Sequence, residues 1–165
     1  MHKLDLKLEG ILENVRLCWL LILVADVMRS TFESEIEQHG ISAKSAGMIR
    51  LIYSIGPEAT PSSIARKLYR RPHTISSLLT RMERNGLIEK SKDLRKRNQV
   101  RIRITQKGLE VYELWLEKAT VLNNIISCLS VDERSDLRDL LKKLERSSIE
   151  QAGIIDANQM FPKPL

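Results

Sequence analysis

The sequence has few of the residues on which metal centres and disulfide frameworks depend. Its 165 residues include only two cysteines, Cys18 and Cys128, and three histidines. The cysteines are too far apart for a metal or redox motif, and the histidines fall on separate predicted elements. A glycine-rich phosphate loop and a spaced set of Ser, His and Asp are also missing. These absences argue against an enzyme and against a bound metal or cofactor, and they fit a reducing cytoplasm.

Long hydrophobic runs and aromatic residues are scarce as well. The apolar stretch Leu17–Ala25 has nine residues between Arg16 and Asp26, whereas a membrane-spanning helix needs about 20. Met1–Gly10 lacks the apolar core of a secretion signal. We therefore expect a soluble, cytoplasmic protein with no membrane partner. Aromatic residues make up 4% of the chain, while leucine and isoleucine are abundant, which suits one mainly α-helical domain over residues 1–165.

Positive charge is concentrated in one part of the chain. Residues 66–103, here called the basic segment, contain 13 Lys or Arg and 3 Asp or Glu. The whole chain has 27 and 21 of these residues, so the remainder holds 14 basic and 18 acidic ones. A net charge spread only for solubility would not be distributed in this way. The segment instead indicates a polyanionic partner.

Two short helices are predicted at the start of this segment. Thr60 can cap the first, and Pro61 suits its first helical position. The second runs from Pro72 to about Asn85, and Gly86 can end it in a left-handed conformation. Its apolar residues fall at helical spacing, which predicts one buried stripe. The opposite face carries small hydroxyls and long cations, namely His73, Thr74, Ser76, Ser77, Thr80, Arg81 and Arg84.

A β-hairpin is predicted directly after the second helix. Leu87–Lys90 and Val100–Ile104 read as two strands, and the second alternates apolar residues with arginines, as a half-buried strand does. The loop between them contains four cations: Lys92, Arg95, Lys96 and Arg97. Helix, turn, helix and hairpin together predict a winged helix-turn-helix lobe at residues 42–108. The predicted fold class is therefore mainly α with a small β-hairpin.

Apolar residues are in excess at both ends of the chain. A long first helix is predicted over 8–38, and its Leu17–Ala25 portion is apolar on every side, which a single surface helix cannot bury. Thr105 can cap another long helix that continues to Leu129, and Ser130-Val131-Asp132-Glu133 matches a capping box for the last helix. The simplest way to bury these apolar residues is to pack them against a second copy of the chain. Residues 1–40 and 109–150 are therefore predicted dimerisation helices, and 151–165 a tail.

Three stretches, Ser62–Leu68, Thr74–Ile88 and Val100–Gly108, resemble the MarR family of regulators, and the likeness extends over roughly residues 11–147. The resemblance implies a homodimer whose terminal helices interlock, and a repressor that blocks polymerase when it is bound over a promoter. Two recognition helices related by a two-fold axis predict a pseudo-palindromic operator with half-sites about 10 bp apart. One position departs from the family: Lys96 replaces the acid that usually braces the wing-tip arginine, here Arg97.

On this reading the predicted recognition helix enters the major groove of duplex DNA. The predicted DNA contacts are Ser62, Pro72, His73, Thr74, Ser76, Ser77, Thr80, Arg81, Arg84, Arg95, Lys96 and Arg97. The last three belong to the wing and would reach a minor groove or its flanking phosphates. For His73 alone, the alternative is a solvated polar residue. For the whole basic face, the alternative is a protein-docking module that binds an acidic partner protein.

Cys18 raises a second regulatory hypothesis. Glu13–Leu21 resembles the first helix of the organic-hydroperoxide-sensing MarR branch, in which a cysteine is oxidised to release DNA. In that branch tyrosine hydroxyls hydrogen-bond the cysteine, but the matching positions here are Ile22, Phe32 and Ala43, which cannot donate. A cysteine in apolar surroundings forms little thiolate. The sequence therefore favours Cys18 as a small, inert, buried hydrophobe over a thiol sensor.

A small apolar or aromatic effector is the other regulatory option. In the MarR family such ligands lodge between the dimer helices and the DNA-binding lobe. The residues here that would line such a cleft are Trp19, Met28, Tyr53, Tyr112 and Trp115. For any one of them the alternative is a place in the core, which is the commoner role of aromatics at helical spacing.

Overall fold

The structure, a computed structural model, describes residues 2–92 and 100–152, with side chains described from residue 8 onward. Its helices are α1 (His2–Glu37), α2 (Ala43–Ile55), α3 (Pro61–Lys67), α4 (Pro72–Arg84), α5 (Gln106–Lys118), α6 (Thr120–Ile126) and α7 (Val131–Gln151), and its strands are β1 (Ile88–Lys92) and β2 (Val100–Ile104). The expected fold class, mainly α with one small hairpin, is confirmed. The assignment of residues 42–108 as the lobe and of the flanks as dimerisation helices stays a prediction.

The expected helix starts are confirmed by their hydrogen bonds. Ser42 caps α2 by accepting from the backbone N–H of Ser45, and Thr105 caps α5 in the same way. Thr60 caps α3 through a capping box closed by Ser63. A second capping box joins Ser130 and Glu133 at the start of α7, where the hydrogen bonds from the Ser130 backbone N–H and hydroxyl lower the pKa of the Glu133 carboxyl. Local sequence alone therefore places these boundaries.

The hairpin is antiparallel and is joined to the helices on one side. Lys90 lies opposite Ile102 in the ladder, and Ile88 lies opposite Ile104. The backbone N–H of Ile102 donates to the carbonyl of Ala59 at 2.9 Å, so the segment before α3 extends the hydrogen bonding of β2. Strand β1 runs two residues beyond its expected end. These contacts fix the base of the wing against the helices.

The core lies among α2, α3, α4 and the hairpin. Its largest fully buried side chains are Ile36, Ile49, Ile52, Ile64, Leu79, Met82, Ile88 and Ile102. Ile36 comes from the end of α1, which also packs Phe32 against this cluster. Most of this core therefore belongs to the helix-turn-helix lobe, and the C-terminal end of α1 is anchored to it.

The single helix expected from Thr105 to Leu129 is wrong, because α5 and α6 are separate. The interruption falls at Ala119, which ends α5 and precedes Thr120. The Thr120 hydroxyl donates to the carbonyl of Glu117 at 2.9 Å. A β-branched residue that bonds a carbonyl of the preceding turn competes with the regular helical ladder. Apolar spacing continues across this point, so periodicity did not reveal the break.

Most of α1 and one stripe of α7 are left uncovered by the residues that the structure describes. On α1 the exposed apolar residues are Leu8, Ile11, Leu12, Val15, Leu17, Trp19, Leu20, Ile22, Leu23, Val24 and Val27. Leu140, Leu141 and Leu144 are exposed on α7. Within the part of the chain that the structure describes, no helix is long and apolar enough to cross a membrane.

Candidate nucleic-acid interface

The rotation of α4 is set by its buried stripe. Ile75, Leu79 and Met82 are buried against the lobe core, and they occupy positions i, i+4 and i+7 of the helix. The face opposite them is exposed and carries the expected polar set: His73, Ser76, Ser77, Thr80 and Arg84. Thr74 and Arg81 are also exposed, on the flank of α4 that faces α2. The core thus turns the hydroxyls and cations outward together.

A left-handed residue in the turn before α4 directs that helix. Tyr69 has φ of 49°, an uncommon conformation for a residue with a side chain. The backbone N–H of Arg70 then donates to the carbonyl of Ala65 at 3.0 Å, which closes the turn. Pro72 stands at the first helical position, and Arg71 caps without a side-chain hydrogen bond. Pro72 has no N–H, and the backbone N–H of Thr74 already donates to the carbonyl of Arg71 at 3.1 Å, so the N–H of His73 is the donor of this turn that is open to an anion.

The cations of this surface have few acidic partners. Among residues 8–92 and 100–152, only Lys90 and Arg101 of the basic segment pair with a carboxylate, those of Glu83 and Glu58 respectively. Arg81 and Arg84 form no ion pair within the same described ranges. Cations that are left unpaired by their own chain are available to an external polyanion.

A groove of about 700 Å³ lies between α2 and α4. Its floor is apolar, and four cations line it: Lys44, Arg50, Arg70 and Arg81. None of its lining residues is acidic, and two of them, Thr74 and Ser77, also belong to the outer surface of α4. The positive surface therefore extends from the exposed face of α4 towards α2.

The other predicted contacts are partly placed by the structure. Ser62 is exposed in the first turn of α3, and Pro72 is exposed at the start of α4. Arg95, Lys96 and Arg97 lie outside the described residues, as does most of the predicted tail. Their roles stay predictions.

Lys90 was missed by the sequence analysis. Its ammonium lies 2.8 Å from Glu83 Oε2 and donates to Thr80 Oγ1 at 3.1 Å. Lys90 belongs to β1, whereas its two partners belong to α4, so helix periodicity alone could not find this contact. The local excess of positive charge was the only signal that included Lys90.

Three of the five residues expected around an effector come together. The ring centroids of Tyr53 and Tyr112 are 4.0 Å apart, and those of Tyr112 and Trp115 are 6.5 Å apart. Phe32 meets Trp115 edge-on at 5.5 Å, and the Arg50 guanidinium lies 5.4 Å from the Trp115 ring centre. Neither Phe32 nor Arg50 was predicted. The result is an aromatic cluster between α1, α2 and α5 with a cation on it.

Trp19 does not belong to this cluster within the single chain, and its assignment to the effector cleft stays a prediction. It lies 13 residues before Phe32 on the same helix, or about 20 Å along the helix axis, and it is 66% exposed. Met28 is one turn before Phe32 and is half-buried. A count of aromatics along the sequence could not show these axial distances.

Cys18 is exposed, so the expected burial of this thiol is wrong for the single chain. It shares a shallow cavity of about 250 Å³ on the surface of α1 with the neighbouring side chains of that helix, including Asn14, Val15 and Trp19. The surroundings are mostly apolar, as expected, but no other described part of the chain covers them.

Comparisons with known proteins agree with this geometry. The model of the MarR family matches residues 41–98, a range that begins just before α2 and ends just before β2. An uncharacterized HTH-type transcriptional regulator, YkoM of Bacillus subtilis (strain 168), is 27% identical over 108 residues, which cover 65% of this chain and 70% of that protein.

Solved structures have the same fold. The organohalide-sensing transcriptional regulator RdhR-CbdbA1625, in its 2,4-dichlorophenol-bound form, matches with a TM-score of 0.69 and 28% identity, over 81% of this chain and 80% of its own. MepR of S. aureus in complex with DNA matches with a TM-score of 0.70 and 23% identity, over 79% of this chain and 96% of its own. At that identity the second likeness shows the fold alone.

Proposed function

Because the chain belongs to the MarR family of transcriptional regulators, we propose that it is a dimeric repressor that binds a pseudo-palindromic site in duplex DNA. In this proposal α4 enters the major groove, where its side chains meet base edges. The wing, with Arg95, Lys96 and Arg97 near its tip, reaches the flanking minor groove. Bound over a promoter, the dimer blocks access of polymerase.

The exposed face of α4 is the observation that carries the proposal. Its hydroxyls and its two arginines, Arg81 and Arg84, are held outward by a buried stripe on the same helix. An arginine bidentate to guanine contributes roughly 1–3 kcal/mol of discrimination. Hydroxyls at the start of α3 and α4 bind phosphates and position the protein without reading sequence. This division between base contacts and phosphate contacts gives a sequence-specific DNA-binding surface.

The exposed apolar residues of α1 support the dimer. From Leu8 to Val27 they extend over about 30 Å of helix, far more than the isolated apolar residues usual on a soluble surface. The exposed leucines of α7 add to this area. A second copy that supplies the same two helices covers both surfaces at once, and a two-fold axis makes the interface self-complementary. Two lobes then face the same side of the DNA, about one helical turn apart.

Replacement of Arg84 by alanine tests whether this face binds phosphate. Arg84→Ala is expected to weaken binding to all duplexes and to lower the slope of log affinity against log salt by about one unit, since one fewer counterion is released. Gel shifts with random duplex across a salt series measure the slope. Arg146→Ala is the matched control, because Arg146 is exposed on the polar side of α7, and it should leave the slope unchanged. Binding that is insensitive to salt in the wild type would instead favour a protein-docking module.

The aromatic cluster of Tyr53, Tyr112 and Trp115 supports a further part of the proposal. The 28%-identical RdhR regulator binds 2,4-dichlorophenol, and aromatic rings with a nearby cation suit an aromatic ligand with an acidic hydroxyl or carboxyl group. The cluster joins α1 and α5 to α2 of the lobe. A ligand inserted there would therefore alter the position of the lobe relative to the dimerisation helices, and so the spacing of the two recognition helices.

Cys18 is not the sensor in this proposal. Among the described residues no side chain donates a hydrogen bond to the Cys18 thiol, and no cation lines the cavity that it shares with Val15 and Ile22. Treatment with an organic hydroperoxide is expected to change the DNA affinity of wild type and of Cys18→Ser equally, and gel shifts of both proteins measure this. Loss of affinity in the wild type alone would identify Cys18 as a redox switch and would contradict the assignment.

A further inference from the structure

Lys90 is the residue of the basic segment that is most closely tied to the recognition helix. Its side chain is only 25% exposed, and it extends from β1 to α4. The ammonium is held at 2.8 Å by the Glu83 carboxylate and donates to Thr80 Oγ1 at 3.1 Å. This cation is therefore fixed by contacts within its own chain, unlike Arg81 and Arg84.

The hydroxyl of Thr80 is consequently constrained. A hydroxyl has one O–H donor and two lone pairs, and Lys90 occupies one lone pair. In helices such hydroxyls commonly donate to the carbonyl four residues earlier, as Ser77 does to His73 at 3.0 Å and Thr31 does to Val27 at 2.9 Å. Thr80 makes no such bond among the described residues. Its O–H therefore remains available to a ligand of the exposed face.

The ammonium also decides which ligand atom suits this position. An incoming N–H group would approach the second lone pair of Thr80 next to a positive charge, which repels it. An incoming acceptor meets the Thr80 O–H and also the N–H of Lys90 that neither Thr80 nor Glu83 uses. Hydrogen bonds from a charged donor are the stronger kind, so the pair favours an acceptor on both counts.

We propose that Lys90 is a positioning residue that fixes the hydrogen-bond polarity of Thr80, so that this part of α4 reads acceptor atoms of the bases. In the major groove these are O6 and N7 of guanine, O4 of thymine and N7 of adenine, whereas the amino groups of adenine and cytosine are disfavoured. Ser77 is expected to prefer donors instead of acceptors. Its O–H already donates to the backbone carbonyl of His73, so only its lone pairs remain, and these accept from amino groups. This inference rests on the proposed function, since it assumes that α4 reads DNA.

Selection from a random duplex library, followed by sequencing, tests the proposal. Thr80→Val should relax the preference for guanine or thymine at one position of each half-site. Lys90→Met should relax the same position, by roughly 3- to 10-fold in the ratio of acceptor to donor bases, the worth of one hydrogen bond. The double variant should relax it no further, because both changes remove one interaction. Lys90→Arg keeps a charged donor and should keep the preference.

Lys92→Met is the matched control, since Lys92 is an exposed cation two residues along the same strand. Both methionine variants lose one positive charge and should show similar losses of overall affinity, but only Lys90→Met should change base preference. If it changes none, the role of Lys90 is refuted while the proposed function stands. If the wild type retains no preferred sequence, the proposed function fails and this inference fails with it. Should Lys90→Met unfold early in a melting curve, Lys90→Gln replaces it.

Discussion

Leu20→Glu is expected to turn the dimer into separate protomers and to abolish operator binding at low protein concentration. Leu20 is 56% exposed in the single chain and lies within the apolar part of α1, so the proposed interface would bury an unpaired carboxylate there. Such burial costs several kcal/mol. Once the two lobes are no longer linked, the gain from bivalent binding is lost, which amounts to about 100-fold or more in affinity. Sedimentation measures the mass, and gel shifts measure the affinity.

The control for Leu20→Glu adds the same charge elsewhere. Asn123 is exposed on α6, and Asn123→Glu should remain dimeric and bind DNA as the wild type does. The circular dichroism spectrum of Leu20→Glu should stay helical, because the lobe has its own core of Ile49, Leu79 and Met82. A Leu20→Glu protein that still sediments as a dimer would place the interface elsewhere and would remove the main support for the two-lobe arrangement.

Gly108→Ala is expected to destabilise the lobe strongly. A Cβ at Gly108 would lie 2.2 Å from the carbonyl oxygen of Leu87 and 2.6 Å from Cγ2 of Ile104. The Leu87 carbonyl cannot move freely, because it accepts a hydrogen bond from the backbone N–H of Thr105. Overpacking of this kind costs about 3 kcal/mol, which corresponds to a fall in melting temperature of roughly 6–12 °C for a chain of this length. Thermal unfolding followed by circular dichroism measures it.

Gly47→Ala is also a glycine-to-alanine change, but it is not expected to destabilise the protein. Gly47 lies in α2, and a Cβ there would meet nothing within 4 Å. Since glycine in a helix is less favourable than alanine by about 0.5–1 kcal/mol, this variant should melt at the same or a slightly higher temperature. Equal destabilisation by the two changes would mean that Gly108 does not approach β1 closely. Destabilisation by Gly108→Ala alone would show that α5 packs directly against the start of the hairpin.

The sequence predicted the parts of the fold that are determined within a few residues. Capping residues such as Thr60 and Ser130 begin their helices because a side-chain oxygen satisfies backbone N–H groups of the same turn. The buried stripe of α4 follows from apolar residues at helical spacing, and so does its exposed face of hydroxyls and cations. Charge counting located the basic segment for a similar reason, since like charges are concentrated there along the chain itself.

Sequence reasoning failed where the outcome depends on distance through space. The separation of Trp19 from the aromatic cluster and the exposure of Cys18 in the single chain each depend on how helices are placed. Phe32 and Arg50 join Trp115 only because α1, α2 and α5 pack together. No spacing rule within one helix can predict neighbours supplied by another.

By itself, the sequence determined where the capped helices begin, which face of α4 is buried and where positive charge collects, because these depend on local hydrogen bonding, on helical period and on composition. Only the tertiary structure decided that the carbonyl of Leu87 excludes a side chain at Gly108 and that the ammonium of Lys90 reaches the hydroxyl of Thr80. Both contacts join different secondary-structure elements, and packing of the hairpin against the helices brings them within hydrogen-bonding or van der Waals distance.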